Sequence, residues 1–124
     1  MDRPLSALST PSTPQVLVAC LCARWCGTCR DYQAVFDALR QQWADRACFR
    51  WVDIEDEADT VGSVEVENFP TLLVAQGGDI RFFGPLPPHA QTLRTTVERA
   101  LNAPLMASSD PAVTALAQRL AGQV

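Results

Sequence analysis

Lysine is absent from this chain of 124 residues, and all 10 basic residues are arginine. Arginine stays protonated at any accessible pH, so no amine side chain here can accept a proton. Histidine occurs once, at His89. The groups able to titrate near neutrality are therefore His89, the cysteines and any perturbed carboxylate. Positive charge is scarce overall: the formal net charge is -4. That excludes non-specific nucleic-acid binding and attraction to anionic membrane surfaces, which both need clustered basic residues. No apolar run approaches the ~20 residues that span a bilayer. The opening MDRPLSALSTPSTPQ lacks the basic start and apolar stretch of a secretory signal, so a cytoplasmic protein is expected. Disorder is not expected either, with 48% hydrophobic and 19% charged residues.

The chain does have cysteines. Five occur, at positions 20, 22, 26, 29 and 48. An odd number, with four crowded into ten residues, is a poor framework for stapling a secreted domain. Clustered cysteines outside that setting point to redox chemistry or to a metal. A Cys-x-x-Cys pair is weak evidence by itself, so its place in the fold must decide.

Residues 1–15 read as an irregular Ser/Thr/Pro leader. Val16 to Cys22 is continuously apolar, as expected of a central strand covered on both faces. From Cys26 to Ala44 the spacing is helical, with Tyr32, Val35, Phe36, Leu39 and Trp43 on one stripe. Cys48 to Ile54 reads as a second strand. The acidic stretch from Asp53 to Asp59 reads as a solvated helix start, leading into a short helix near Ala58–Val66 that Gly62 interrupts. Thr71–Gln76 and Ile80–Phe83 form a hairpin through Gly77-Gly78. Ala90–Leu101 is a helix carrying Leu93, Val97 and Leu101. Asp110-Pro111 opens a last one, with Val113, Leu116, Ala117 and Leu120. The implied architecture is α/β: a central mixed sheet of about four strands, helices on both faces, and an extra C-terminal helix. The expected division is a leader over 1–15, one domain over 16–103, and a helical extension over 104–124 packed on the same domain.

Trp25-Cys26-Gly27-Thr28-Cys29-Arg30 falls where the first strand gives way to the first long helix. Cys26 then sits at a helix N-terminus, where unpaired N–H groups and the macrodipole favour an anion. The thiolate is the attacking form of a thiol. Cys29, one turn on and more buried, can attack a mixed disulfide and release the product. Gly27 is expected to keep the turn small. Arg24 and Arg30 add positive charge, which Asp31 opposes. Cys20 and Cys22 share one strand face and read as small buried hydrophobes, with a second thiol pair or metal ligation as the functional alternative. Cys48 reads as structural, and His89 as exposed at a helix start.

In VLVACLCARWCGTC, VDIED and NFPTLLVAQGGDIRFFG the chain resembles the thioredoxin family over about residues 16–101. The resemblance implies a thioredoxin-like fold and thiol–disulfide exchange. Cys26 is then the nucleophile, Cys29 the resolving thiol, and Trp25, Gly27, Thr28, Phe69 and Pro70 the substrate-binding surface. It implies a cis Pro70 lying against the two cysteines. Expected partners are protein disulfides and a reductase or small thiol as electron donor. No cofactor and no metal is called for, and a monomer is expected. Four positions depart from the family pattern. Thr28 replaces a proline, Cys20 the buried acid, Trp51 a lysine, and Ala34 the proline of the long helix. Two other readings stay open. Cys20, Cys22, Cys26 and Cys29 could hold zinc or copper(I), or Trp25 and Phe69 could serve a non-catalytic binding module.

Overall fold

The computed structural model of the chain describes residues 16–76, 79–102 and 110–122. The Ser/Thr/Pro leader, the Gly77-Gly78 turn and residues 103–109 of the connector lie outside the described residues.

Strand β1 (Val16–Cys22) is apolar throughout because both its faces are covered: from Leu17 onward every residue is buried. It pairs in parallel with β2 (Cys48–Asp53) and antiparallel with β3 (Thr71–Gln76), which pairs antiparallel with β4 (Asp79–Pro85). The strand order is β2-β1-β3-β4, a mixed sheet of four strands. The β3–β4 ladder is irregular between Val74 and Ala75.

Alternation along β1 sorts its side chains between two cores. Val18, Cys20 and Cys22 point to one face, where they meet α1 (Gly27–Trp43) and α3 (Ala90–Asn102) through Tyr32, Phe36, Leu39, Leu93, Val97 and Ala100. Leu17, Ala19 and Leu21 point to the other, where Val61 of α2 (Ala58–Val61) and Val113, Leu116, Ala117 and Leu120 of α4 (Pro111–Ala121) cover them. Burying each large aliphatic contributes roughly 1.5–3 kcal/mol. The last helix is thus part of the second core.

The predicted helices form with one adjustment, at α2. α1 runs unbroken for 17 residues; Ala34 leaves the backbone N–H that a proline would remove. α2 is a single turn rather than reaching residue 66, because Gly62 takes φ 66° and ends it. Arg119 of α4 closes that end, donating from Nε to the Thr60 carbonyl at 2.7 Å and from Nη2 to that of Val61 at 3.3 Å. α4 starts as its sequence predicts, with Asp110 Oδ1 accepting from the Ala112 N–H at 2.9 Å and Pro111 in the first turn. Among the described residues no helix is long and apolar enough to cross a membrane.

Candidate active site

The end of β1 runs straight into the start of α1. Between them Ala23 accepts from the Cys26 N–H at 3.0 Å, closing a turn. Cys26 is the N-cap residue, with extended φ -84° and ψ 120°, and its carbonyl accepts from the Arg30 N–H at 3.2 Å. No acidic residue lies in the first turn of α1. An anion at Cys26 therefore faces helix amides with no intrahelical acceptor and no competing carboxylate in that turn. Arg30 folds back, donating from Nη1 to the Arg24 carbonyl at 3.1 Å.

The cysteines divide sharply. Cys26 is a half-buried free thiol. Cys29, one turn further, is only 1% exposed and is joined in a disulfide to Cys22, with Cα atoms 5.8 Å apart. This corrects the reading of Cys22 as packing alone. The two residues are separated by 7 positions in sequence. The strand end and the first helical turn bring them together. Cys20 and Cys48 are free. Burial pushes the Cys20 thiol well above its ordinary range, so it stays protonated and cannot replace a carboxylate as a base. Burial, followed by the neighbouring Cys20, raises Tyr32 likewise. The Tyr32 hydroxyl has no hydrogen-bond partner among the described residues.

A cleft of about 250 Å³ opens beside Cys29 and is lined also by Arg24, Trp51, Asp53 and Asp56. Asp53 arrives there because the parallel register sets it opposite Cys22. Burial alone would raise its carboxyl. The backbone amides of Asp56 and Glu55, at 3.1 and 2.9 Å, and the Arg24 guanidinium outweigh that and hold it below the usual carboxylate range. Asp56 is paired with Arg24. Glu55 is exposed and does not line the cleft.

The Phe69–Pro70 peptide bond is cis. Phe69, like Cys26, packs against the edge of the first core, and it stands edge-on to Trp25 with ring centroids 5.6 Å apart. The segment is fixed by Leu86, whose N–H donates to the Pro70 carbonyl at 3.1 Å, and by Thr71 Oγ1, which donates to the Asn68 carbonyl at 2.6 Å. Trp25 is 61% exposed; Gly27 and Thr28 are exposed as well. Packing within the chain does not require glycine at 27: an added Cβ would meet only Arg30 Nη2, at an ordinary 3.6 Å. His89 is exposed at the start of α3 and does not line the cleft. Among the described residues no group of three or more His, Cys, Asp or Glu side chains is placed to hold a metal ion. Two of the four sulfurs considered for that role are bonded to each other.

Known proteins share the sequence pattern and the fold. The family model described as Thioredoxin matches residues 6–99. A thioredoxin of Bacillus subtilis is 30% identical over 74 residues, covering 60% of this chain and 71% of that protein. Thioredoxin M4, chloroplastic, of Arabidopsis thaliana is 28% identical over 81 residues, covering 64% of this chain but only 41% of its own length. Among solved structures, Fasciola hepatica thioredoxin superposes with TM-score 0.62 at 23% identity, covering 70% of this chain and 82% of that one. Oxidised mitochondrial thioredoxin 3 of Saccharomyces cerevisiae gives 0.59 at 22%, covering 69% and 79%. With a Cys-x-x-Cys pair at a strand-to-helix turn, a cis Phe69–Pro70 bond and a family match over most of the length, the chain belongs to the thioredoxin family of thiol–disulfide oxidoreductases.

Proposed function

We propose that the chain reduces disulfides in protein substrates, with Cys26 as nucleophile and Cys29 as resolving thiol. The observation that carries this is the contrast between the two sulfurs at the mouth of α1. Cys26 is accessible and free, whereas Cys29 is buried and already engaged in a disulfide. In the reduced protein the Cys26 thiolate attacks a substrate disulfide and expels one substrate thiolate. Cys29 then attacks Cys26 Sγ, forms the internal disulfide and expels the second. A reductase or small thiol returns the two electrons, and no bound cofactor takes part. Trp25, Gly27, Thr28, Phe69 and Pro70 form the rim on which an extended substrate segment lies.

Cys29 must lose a proton in a dry place. Cys20 cannot take it. Asp53, held ionised in the same cleft, accepts it through cleft water. A carboxylate held below its usual range is a weaker base than an ordinary one, so resolution is slow. The working unit is the domain over 16–103 with the 104–124 extension packed on it, acting as a cytoplasmic monomer.

The test is turnover of a model protein disulfide. Cys26→Ser abolishes it, and Cys29→Ser accumulates a mixed disulfide on Cys26 that gel shift and mass mapping detect. Retained turnover in Cys26→Ser overturns the assignment.

A further inference from the structure

We propose that Cys22 is a third redox thiol: Cys29 exchanges its disulfide partner between Cys26 and Cys22, so that the oxidised protein stores its disulfide in the core and keeps Cys26 free.

The geometry rests on three placements. Cys22 ends β1 and Cys29 lies in the first turn of α1; each is 1% exposed, and the two are bonded. Their Cα separation of 5.8 Å is within the range a disulfide spans without backbone movement. Cys26 lies three residues before Cys29 at the helix start, a spacing that sets side chains on one face. One sulfur, that of Cys29, is thus flanked by a buried thiol on the strand and an accessible one at the helix cap.

The exchange balances without an outside reagent. After substrate reduction the chain holds a Cys26–Cys29 bond. The Cys22 thiol attacks Cys29 Sγ, the Cys22–Cys29 bond forms and the Cys26–Cys29 bond breaks. The proton lost by Cys22 is regained by Cys26 or left with water in the adjoining cleft. No electrons enter or leave, so the protein stays oxidised by two. The product differs in its surface. The buried disulfide is shielded from external thiols, while Cys26 is again a free, accessible nucleophile that can attack a second disulfide compound, forming a mixed disulfide and expelling one of its thiolates. Reduction runs through the reverse exchange: Cys26 attacks Cys29 Sγ and Cys22 leaves as the thiol, after which a donor thiolate attacks Cys26 Sγ of the accessible Cys26–Cys29 bond.

The inference depends on Cys29 being redox-active, as proposed above, and the test separates the two. The full chain is reduced, oxidised with one equivalent of diamide, acid-quenched, blocked with N-ethylmaleimide and cut with trypsin. Cleavage after Arg24 and Arg30 puts Cys26 and Cys29 on one hexapeptide and Cys22 on another fragment. The expected product is the two fragments cross-linked through Cys22 and Cys29, with one maleimide on Cys26 and a second on Cys20, which shares the Cys22 fragment. In Cys22→Ala the hexapeptide closes on itself, and labelling of Cys26 in the native oxidised protein falls by roughly tenfold. Cys22→Ser gives the same pattern should the alanine variant fold poorly. A self-closed hexapeptide in the wild-type chain, alongside normal turnover of a protein disulfide, overturns the exchange and leaves the dithiol assignment standing. Failure of Cys29 to oxidise in any form overturns both.

Discussion

Trp25 and Phe69 meet edge to face, with ring centroids 5.6 Å apart and planes at 88°. One ring belongs to the turn before α1, the other to the segment before β3. The contact therefore joins the cysteine turn to the cis-proline ledge across the mouth of the site. Aromatic pairs of this geometry contribute about 0.5–1.5 kcal/mol beyond the area they bury.

Trp25→Ala is expected to lower stability by no more than about 1.5 kcal/mol, the scale of that pair, because Trp25 is 61% exposed. Its effect on function is larger: KM for a protein disulfide rises several-fold while that for a small disulfide changes little. A double-mutant cycle with Phe69→Ala, read by denaturant unfolding, gives a coupling of about 1 kcal/mol. Additive single effects would show the rings to be independent.

Asp53 ties acid stability to the site. Its folded-state carboxyl lies below the unfolded value. The stabilisation it provides is therefore complete above the unfolded pKa, near ~3.9, and is lost as pH falls through the folded value. The stability difference between the wild type and Asp53→Asn should be constant above about pH 5 and shrink below about pH 4. Urea unfolding across that range measures it. In rapid-quench experiments at neutral pH the same variant lengthens the life of the mixed disulfide.

Cys20→Asp should hasten resolution. The thiol there is fully buried and stays protonated. A carboxylate near Cys29 would supply the missing base, and full general-base assistance is worth roughly 10²–10⁴-fold. A gain of about tenfold is expected, with a loss of about 2 kcal/mol or more for burying the new group. An unchanged mixed-disulfide lifetime in a folded variant would count against the idea.

The last helix should matter for folding as much as the sheet does. Leu116 is 0% exposed beneath the sheet. Leu116→Ala is expected to cost about 2–5 kcal/mol in denaturant unfolding. Gly62→Ala should also destabilise, because φ is 66° there and the new Cβ would come within 2.7 Å of Arg119 Nη2.

Much of this protein is written locally. The run Val16–Cys22 can only be a strand buried on both sides, and the stripe of Tyr32, Phe36 and Leu39 can only bury one face of a helix. From those two facts the placement of Cys26 at a helix start follows; the mixed sheet adds the strand from Cys48 and the hairpin of Thr71–Gln76 with Ile80–Phe83, and the covering helices their own apolar stripes. α2 ends five residues early because Gly62 takes a left-handed conformation and Arg119, 57 positions later, seals the turn. Periodicity could not show that, since the partner is remote.

The sulfur chemistry divides the same way. That Cys26 heads a helix with Cys29 one turn behind is a matter of spacing along one chain segment, which sequence records. That Cys29 is bonded to Cys22 and shares a cleft with Asp53 depends on how α1 leaves β1 and on the register of β2 against β1. Those relations are angles and offsets between elements. Packing of the whole core fixes them, and no short stretch of residues encodes them.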